Sequence, residues 1–196
     1  MASLKEKIAY ALGDAAAGGI VWKVMSIAFP LFFTNVFGLS FADAAVLMLV
    51  ARMFDVVTDP LMGSLADRTQ SRFGTYRPWL IFGAVPFGLI FALLLYTPDF
   101  GPVGKRIYAY TLYLLMMAVY TMVNVPYGSL LGVMTDDDNE TNQFSSFRMV
   151  GAYAMGFITL LSFPYLQKMV GGTDAHQYAV IGAVLGVVAA VMTLAC

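Results

Sequence analysis

The chain of 196 residues is 60% hydrophobic and only 12% charged, with a net charge of -1 and a mean hydropathy of +0.76. That much apolar surface cannot be hidden in a soluble domain of this size, whereas a helical membrane protein requires it. The near-zero net charge gives no polarity for nucleic acid, and one cysteine (Cys196) with one histidine (His176) excludes an internal disulfide and the usual zinc sites.

Six apolar segments, each long enough to span a bilayer, follow in chain order over about 4–33, 41–66, 78–97, 106–134, 143–167 and 176–196. The predicted class is an all-α membrane protein of six transmembrane helices. Ser3 with Glu6, and Ser40 with Asp43, have capping-box spacing at the first two helix starts. The N-terminal MASLKEK lacks a small-residue cleavage site and reads as the start of a retained span. Asn35, Gly38 and Ser40 make the first turn, and the polar run Asp67 to Arg77 the second, with Pro78 suited to a first helical turn. Thr97-Pro98-Asp99, the acidic TDDDNET and the pair Gly171-Gly172 mark the remaining turns. Every span but the sixth carries an internal proline (Pro30, Pro60, Pro86, Pro126, Pro164). Pro60 frees the carbonyl of Val56 and Pro126 that of Met122, and each needs a partner within a bilayer.

Basic residues set the orientation. The N-terminus, the second turn and the fourth share one side and hold Lys5, Lys7, Arg68, Arg72, Arg77 and Arg148, against Lys105, Arg106 and Lys168 opposite. The excess predicts a cytoplasmic N-terminus, and the sequon at Asn139 then faces the cytoplasm as a chance match.

The stretch from Val50 to Trp79, VARMFDVVTDPLMGSLADRTQSRFGTYRPW, organises the rest. Arg52, Asp55 and Asp59 fall within an arc of about 60° on one helix face. Charge in hydrocarbon is costly, so such a cluster points to a functional site; the competing reading is a structural ion-pair knot. The two carboxylates would titrate as a coupled pair, one proton being retained unless a cation replaces it. A small alkali ion takes oxygen ligands, which the carboxylates, a hydroxyl and a freed carbonyl provide. Thr58 lies about 100° round the helix from Asp59, so it joins only if the helix distorts near Pro60. Counting depth from the helix ends puts Asp55 and Thr121 at one level, about 16 Å in.

On the fourth span Tyr120, Asn124, Tyr127 and Gly128 share a face, readable as cavity lining or as helix–helix glue. On the first, Asp14, Gly18 and Trp22 share a face, while Lys23 falls about 180° from Asp14 unless Gly18-Gly19 unwinds. The two charges are therefore expected to serve different neighbours. Lys23 and Arg52 lie at similar depth, either balancing the carboxylates or meeting a polar solute, and Arg148 enters early in the fifth span, either lining a cavity or reaching back to the interface. Asp67 ends the second span, where its charge opposes the helix dipole unless a cation is near. With Arg68, Arg72 and Arg77 it is expected to form a cytoplasmic latch.

At these residues a resemblance is apparent. GSLADRTQSRFGTYRPW, from Gly63 onward, resembles the second-to-third-helix loop signature of the major facilitator superfamily. The longer DVVTDPLMGSLADRTQSRFGTYRPW, with YALGD, NVPYGSL and MTDDDNETNQFSSFR in order, is similar to the glycoside-pentoside-hexuronide:cation symporters, the melibiose-permease-like group. The resemblance implies the N-terminal half of that fold, with Asp55, Thr58, Asp59 and Thr121 in the cation-site positions. It also implies that Arg148, Tyr120 and Asn124 line the solute cavity, and that Na⁺, H⁺ or Li⁺ drives transport of a sugar-like solute through a bacterial inner membrane, with no cofactor. The grip pair of melibiose-type members falls within Ala17, Gly18 and Gly19, and two further grip positions are Asn124 and Gly128. Two carboxylate grips on sugar hydroxyls are thus absent, so a galactoside is not expected, while another sugar, an acidic sugar or a different small polar molecule stays open. The solute site of such folds lies between two six-helix halves, so a C-terminal half or a second chain is expected as partner. A non-transporting assembly or lipid-facing protein on the same scaffold is the alternative, and no nucleophile–base pair suggests an enzyme.

Overall fold

The computed structural model describes residues 3–196, which are all-α, as the apolar segments predict. Six helices follow one another: α1 (Leu4–Val36), α2 (Phe41–Asp67), α3 (Arg77–Leu94), α4 (Pro102–Met134), α5 (Asp138–Val170) and α6 (Asp174–Leu194). Five are long and apolar enough to cross a membrane; α2, at 27 residues, has the length but is interrupted by Asp43, Arg52, Asp55, Asp59 and Asp67.

The helix starts follow local chemistry. Ser3 and Glu6 form the reciprocal capping box, with bonds of 3.3 and 2.7 Å. At α2 only half a box forms. The Ser40 hydroxyl accepts from the Asp43 N–H at 3.0 Å but donates to the Asp43 carboxylate at 2.7 Å, because that carboxylate also meets Arg106 at 3.0 Å. Helices α4 and α5 begin earlier than the apolar pattern suggests. Pro102 has a preset φ for the first turn, and the Asp137 side chain caps the Asn139 N–H at 2.8 Å. Polar first turns of this kind are invisible to a hydropathy reading.

Helix α1 departs from α geometry. Ala15–Val21, Val24–Ala28 and Phe32–Val36 are π-wound, each turn wider than in an α-helix. Residues beyond Asp14 are therefore rotated relative to a regular helix, which matters at the site.

In the packing, α3 lies between α6 and α4, α1 between α5 and α6, and α2 rests on α4. Helices α3 and α6 meet backbone to backbone, and a methyl group on Gly88 or Gly186 would run into the other's carbonyl oxygen. Helices α1 and α4 meet through rings instead. Tyr10 stacks on Tyr127 at 4.7 Å, Trp22 faces Tyr120 at 5.5 Å and Phe29 stacks on Tyr113 at 5.2 Å. Phe29, Phe32, Phe33 and Phe37 continue this seam into the largest apolar core. Outward faces stay apolar, with Phe82 72% and Met169 82% exposed, a surface suited to lipid rather than water.

The α3–α6 crossing can be tested against an open glycine. Gly88→Ala forces a methyl into backbone and should destabilise by about 1–3 kcal/mol. Gly128→Ala, where an added Cβ meets nothing within 4 Å, should be neutral or stabilising. Thermal midpoints of the detergent-solubilised variants check this; equal midpoints would contradict the close crossing.

Candidate functional site

The charges of α2 face α4 and α1. Arg52, Asp55 and Asp59 line a cavity of about 220 Å³ with Trp22, Tyr120, Thr121, Asn124 and Val125. Thr121 donates to the Asp59 carboxylate at 2.9 Å. Depth counting placed Thr121 level with Asp55, but its bond goes to the aspartate one turn further on. Arg52 lies 3.7 Å from the Asp55 carboxylate, a loose contact in which the arginine side chain is 61% exposed. Its guanidinium sits 4.6 Å from the ring centre of Trp22. A cation over an indole face is attracted by the ring quadrupole, so Arg52 is shared between Trp22 and Asp55. Thr58 stays outside this group. Its hydroxyl donates to the Phe54 carbonyl at 3.0 Å, and α2 remains regularly helical through Pro60, so the distortion Thr58 would need does not occur. Two carboxylates and one hydroxyl are hard oxygen donors, and among the described residues no group of three or more His, Cys, Asp or Glu side chains gathers as for a multivalent metal.

A second cavity, of about 320 Å³, shares Trp22 as a wall. Asp14, Gly18, Lys23, Arg148, Met149, Ala152 and Tyr153 complete its lining. Arg148 donates through Nε to the Asp14 carboxylate at 2.9 Å, so its side chain turns into the cavity rather than back to the interface. Lys23 shares the cavity with Asp14, contrary to the α-helical expectation. A π-wound residue advances roughly 80° rather than about 100°, which brings the two side chains to within about 60° of each other. Glycines make the room: a Cβ on Gly18 would stand 2.8 Å from the Asp14 carboxylate, and one on Gly156 would stand 2.9 Å from the Lys23 stem. The Lys23 ammonium lies 5.5 Å from the ring centre of Tyr153. Tyr153 was missed by sequence reasoning, since neither the phase of Lys23 nor its facing helix is readable from spacing.

Tyr120 and Asn124 join the acidic cavity. Tyr127 does not, although it shares their helix face by spacing. It is 2% exposed, donates to the Tyr10 carbonyl at 2.7 Å and lies under Arg148, whose guanidinium is 5.6 Å from its ring centre. Tyr127 is a packed floor and not a cavity wall, because α1 covers it where the Tyr10 ring stacks.

At the end of the bundle holding the N-terminus, Asp67 accepts a hydrogen bond from the Tyr76 hydroxyl at 2.8 Å. That bond holds the Tyr76 phenol above its ordinary pKa, since losing the proton would set two anions side by side. Trp79 donates to Thr69 at 3.1 Å across the same turn. Among the described residues Arg68, Arg72 and Arg77 form no ion pair with Asp67. Arg68 caps α2 through its backbone, Arg72 lies over Phe73 at 4.7 Å, and Arg77 lines a wide cleft of about 750 Å³ with Glu6, Tyr76 and Glu140. The expected arginine partners of Asp67 are thus replaced by a neutral donor that faces it across the turn. Gly63 has only Val125 near, at 3.9 Å from an added Cβ, so crowding within this bundle does not demand a glycine.

Residues 9–196 match the family model described as MFS/sugar transport protein. The chain is 43% identical over 195 residues to the Escherichia coli (strain K12) protein named "Putative glycoside/cation symporter YagG", covering 99% of this chain and 42% of that one. The inner membrane symporter YicJ of the same organism gives the same identity and coverage. The isoprimeverose transporter of Lactiplantibacillus pentosus is 29% identical over 195 residues, 98% of this chain and 40% of its own. The chain spans less than half the length of each of these relatives.

The Asp14–Arg148 pair should behave as one energetic unit. Asp14→Asn strands a guanidinium and Arg148→Gln strands a carboxylate, so the double change should lower the thermal midpoint by less than the sum of the two single changes. A double-mutant cycle should return a coupling of about 0.5–3 kcal/mol; additive effects would show that the pair contributes nothing.

Proposed function

This chain belongs to the MFS/sugar transport protein family, in its glycoside-pentoside-hexuronide:cation branch, and from that premise we propose cation-coupled symport of a sugar or related small polar solute by alternating access. Its setting is an integral, multi-pass one, and its relatives are transporters rather than enzymes. The observation that supports the reading best is the convergence of Asp55 and Asp59 from α2 with Thr121 from α4 on one cavity. Paired carboxylates in the middle of a bundle are costly to keep charged, and a bound cation offsets that cost. Na⁺ is the coupling ion proposed, with H⁺ or Li⁺ as the alternatives the same oxygens accept.

In this reading the ion binds at Asp55, Asp59 and Thr121, and the solute binds against Trp22 in both cavities. Tyr120 and Asn124 contact the solute from α4, and Asp14, Lys23 and Arg148 from α1 and α5. Neutralising the carboxylates makes the loaded carrier less costly to reorient, and a facing half, from a longer chain or a second one, closes over the cavities and rocks against this bundle. The turn held by Asp67 and Tyr76, with Gly63, Arg68, Arg72 and Arg77 around it, serves as a latch on the cytoplasmic side. The N-terminus is cytoplasmic and the membrane a bacterial inner membrane.

Uptake in membrane vesicles under imposed Na⁺, Li⁺ or proton gradients tests this. Asp55→Asn and Asp59→Asn should each reduce concentrative uptake by at least tenfold while leaving energy-independent exchange measurable. Thr121→Ala should weaken ion dependence more mildly, because it removes one neutral donor. If both aspartate variants keep ion-driven uptake, Arg52, Asp55 and Asp59 are a structural knot instead.

A further inference from the structure

We propose that Trp22 is a positioning residue for the coupling ion: its indole face holds the Arg52 guanidinium off Asp55 and so keeps the ion site free of a tethered competitor. The inference rests on the reading of Asp55, Asp59 and Thr121 as the ion site, and it names the residue that tunes the affinity of that site.

Arg52 is a permanent cation three residues before Asp55 on α2, where its side chain can reach the carboxylate. A close, forked hydrogen-bonded pair is the strongest contact such neighbours make. It does not form. The nearest approach is 3.7 Å, beyond hydrogen-bond distance, and the guanidinium lies instead 4.6 Å from the ring centre of Trp22. The ring is fixed by this bundle itself, since Trp22 faces Tyr120 at 5.5 Å and packs on the largest apolar core. The guanidinium also has room where it stands. Besides the acidic cavity, Arg52 lines a third one of about 170 Å³ with Trp22, Met25, Ser26, Met48 and Tyr113, and no carboxylate belongs to that lining. Met25 and Ser26 follow Trp22 on α1 and Met48 precedes Arg52 on α2, so this cavity lies toward the end of the bundle away from the N-terminus.

A guanidinium and a small alkali ion compete for the same negative charge. Seated on Asp55, Arg52 would cancel one of the two charges that the ion needs; on the indole face it leaves both carboxylates open to the cavity. The residue types suit this division. A guanidinium is flat and weakly hydrated, so it stacks on a ring better than an ammonium does, and indole offers the strongest aromatic face. Keeping the cation near has its own use, because two uncompensated carboxylates at membrane depth are costly in the unloaded site. The 3.7 Å contact therefore tempers the acid pair without filling it.

Ion affinity can be read without a solute. The thermal midpoint of the detergent-solubilised protein would be followed against Na⁺, and separately Li⁺, at constant ionic strength with choline as the balancing cation. The set is the wild type, Trp22→Leu, Trp22→Phe, Arg52→Gln and each Trp22 change combined with Arg52→Gln. Trp22→Leu should raise the apparent Na⁺ dissociation constant by about threefold to thirtyfold, the range that one cation–π contact spans. Trp22→Phe, which keeps a weaker face, should raise it less. In the Arg52→Gln background neither Trp22 change should have an effect, because no tethered cation remains to be released. A ring with a merely structural role would not produce that non-additivity. If Trp22→Leu is unfolded, Trp22→Phe with and without Arg52→Gln decides by the same sign. A wild-type ion response that the Trp22 changes leave unchanged or strengthen, or that they weaken equally with and without Arg52, overturns the inference and leaves the ion site standing. No response of the wild type to either ion overturns the ion-site reading and the inference together.

Discussion

Ring packing between α1 and α4 sets the geometry on which everything else depends. Tyr113, Tyr120 and Tyr127 recur at heptad spacing on α4 and stand against Phe29, Trp22 and Tyr10 of α1. Aromatic side chains bring large contact area with specific geometry, and they hold two helices a ring's width apart instead of letting backbones touch. The contrast is with α3 and α6, where Gly88 and Gly186 remove side chains so that backbones meet. One pair is closed and the other is propped open, and only the propped pair has room at its flanks for charged groups arriving from α2 and α5.

From that spacing the division of labour follows. Charges on α2 enter one flank and meet Thr121, while Arg148 on α5 enters the other and meets Asp14. The seam is deepest in aromatic packing at either end, with Tyr10 on Tyr127 below and the Phe29–Phe37 cluster above, so the polar groups are confined to its middle. At the floor the Tyr127 hydroxyl donates to the Tyr10 carbonyl, so the ring packs there with its polar atom satisfied.

Much of this was legible in the sequence, for a physical reason. Arg52, Asp55 and Asp59 stand out because charge in an apolar run is costly, and a rise of about 1.5 Å per residue is enough to put Thr121 at nearly their depth. What escaped were features set by departures from that regularity or by contacts between distant segments. For Lys23 the Gly18-Gly19 pair left two phases open, and only the π-wound turn that forms there decides between them. Tyr127 was placed with Tyr120 and Asn124 because helical phase cannot say which part of a face a neighbouring helix covers. Asp67 was assigned arginine partners because its sequence neighbours are basic, whereas the turn folds Tyr76 onto it. Thr58 illustrates the reverse case: its 100° offset already argued against it, and the regular helix through Pro60 keeps it out.

The indole of Trp22 belongs to the walls of both cavities and carries the Arg52 guanidinium on its face. An occupant that tilts this ring in one cavity therefore alters the shape and the field of the other. Whatever free energy passes through the ring has a single value, independent of the order in which the occupants arrive. If one occupant tightens the hold on the other by a given factor, the second must tighten the hold on the first by that same factor.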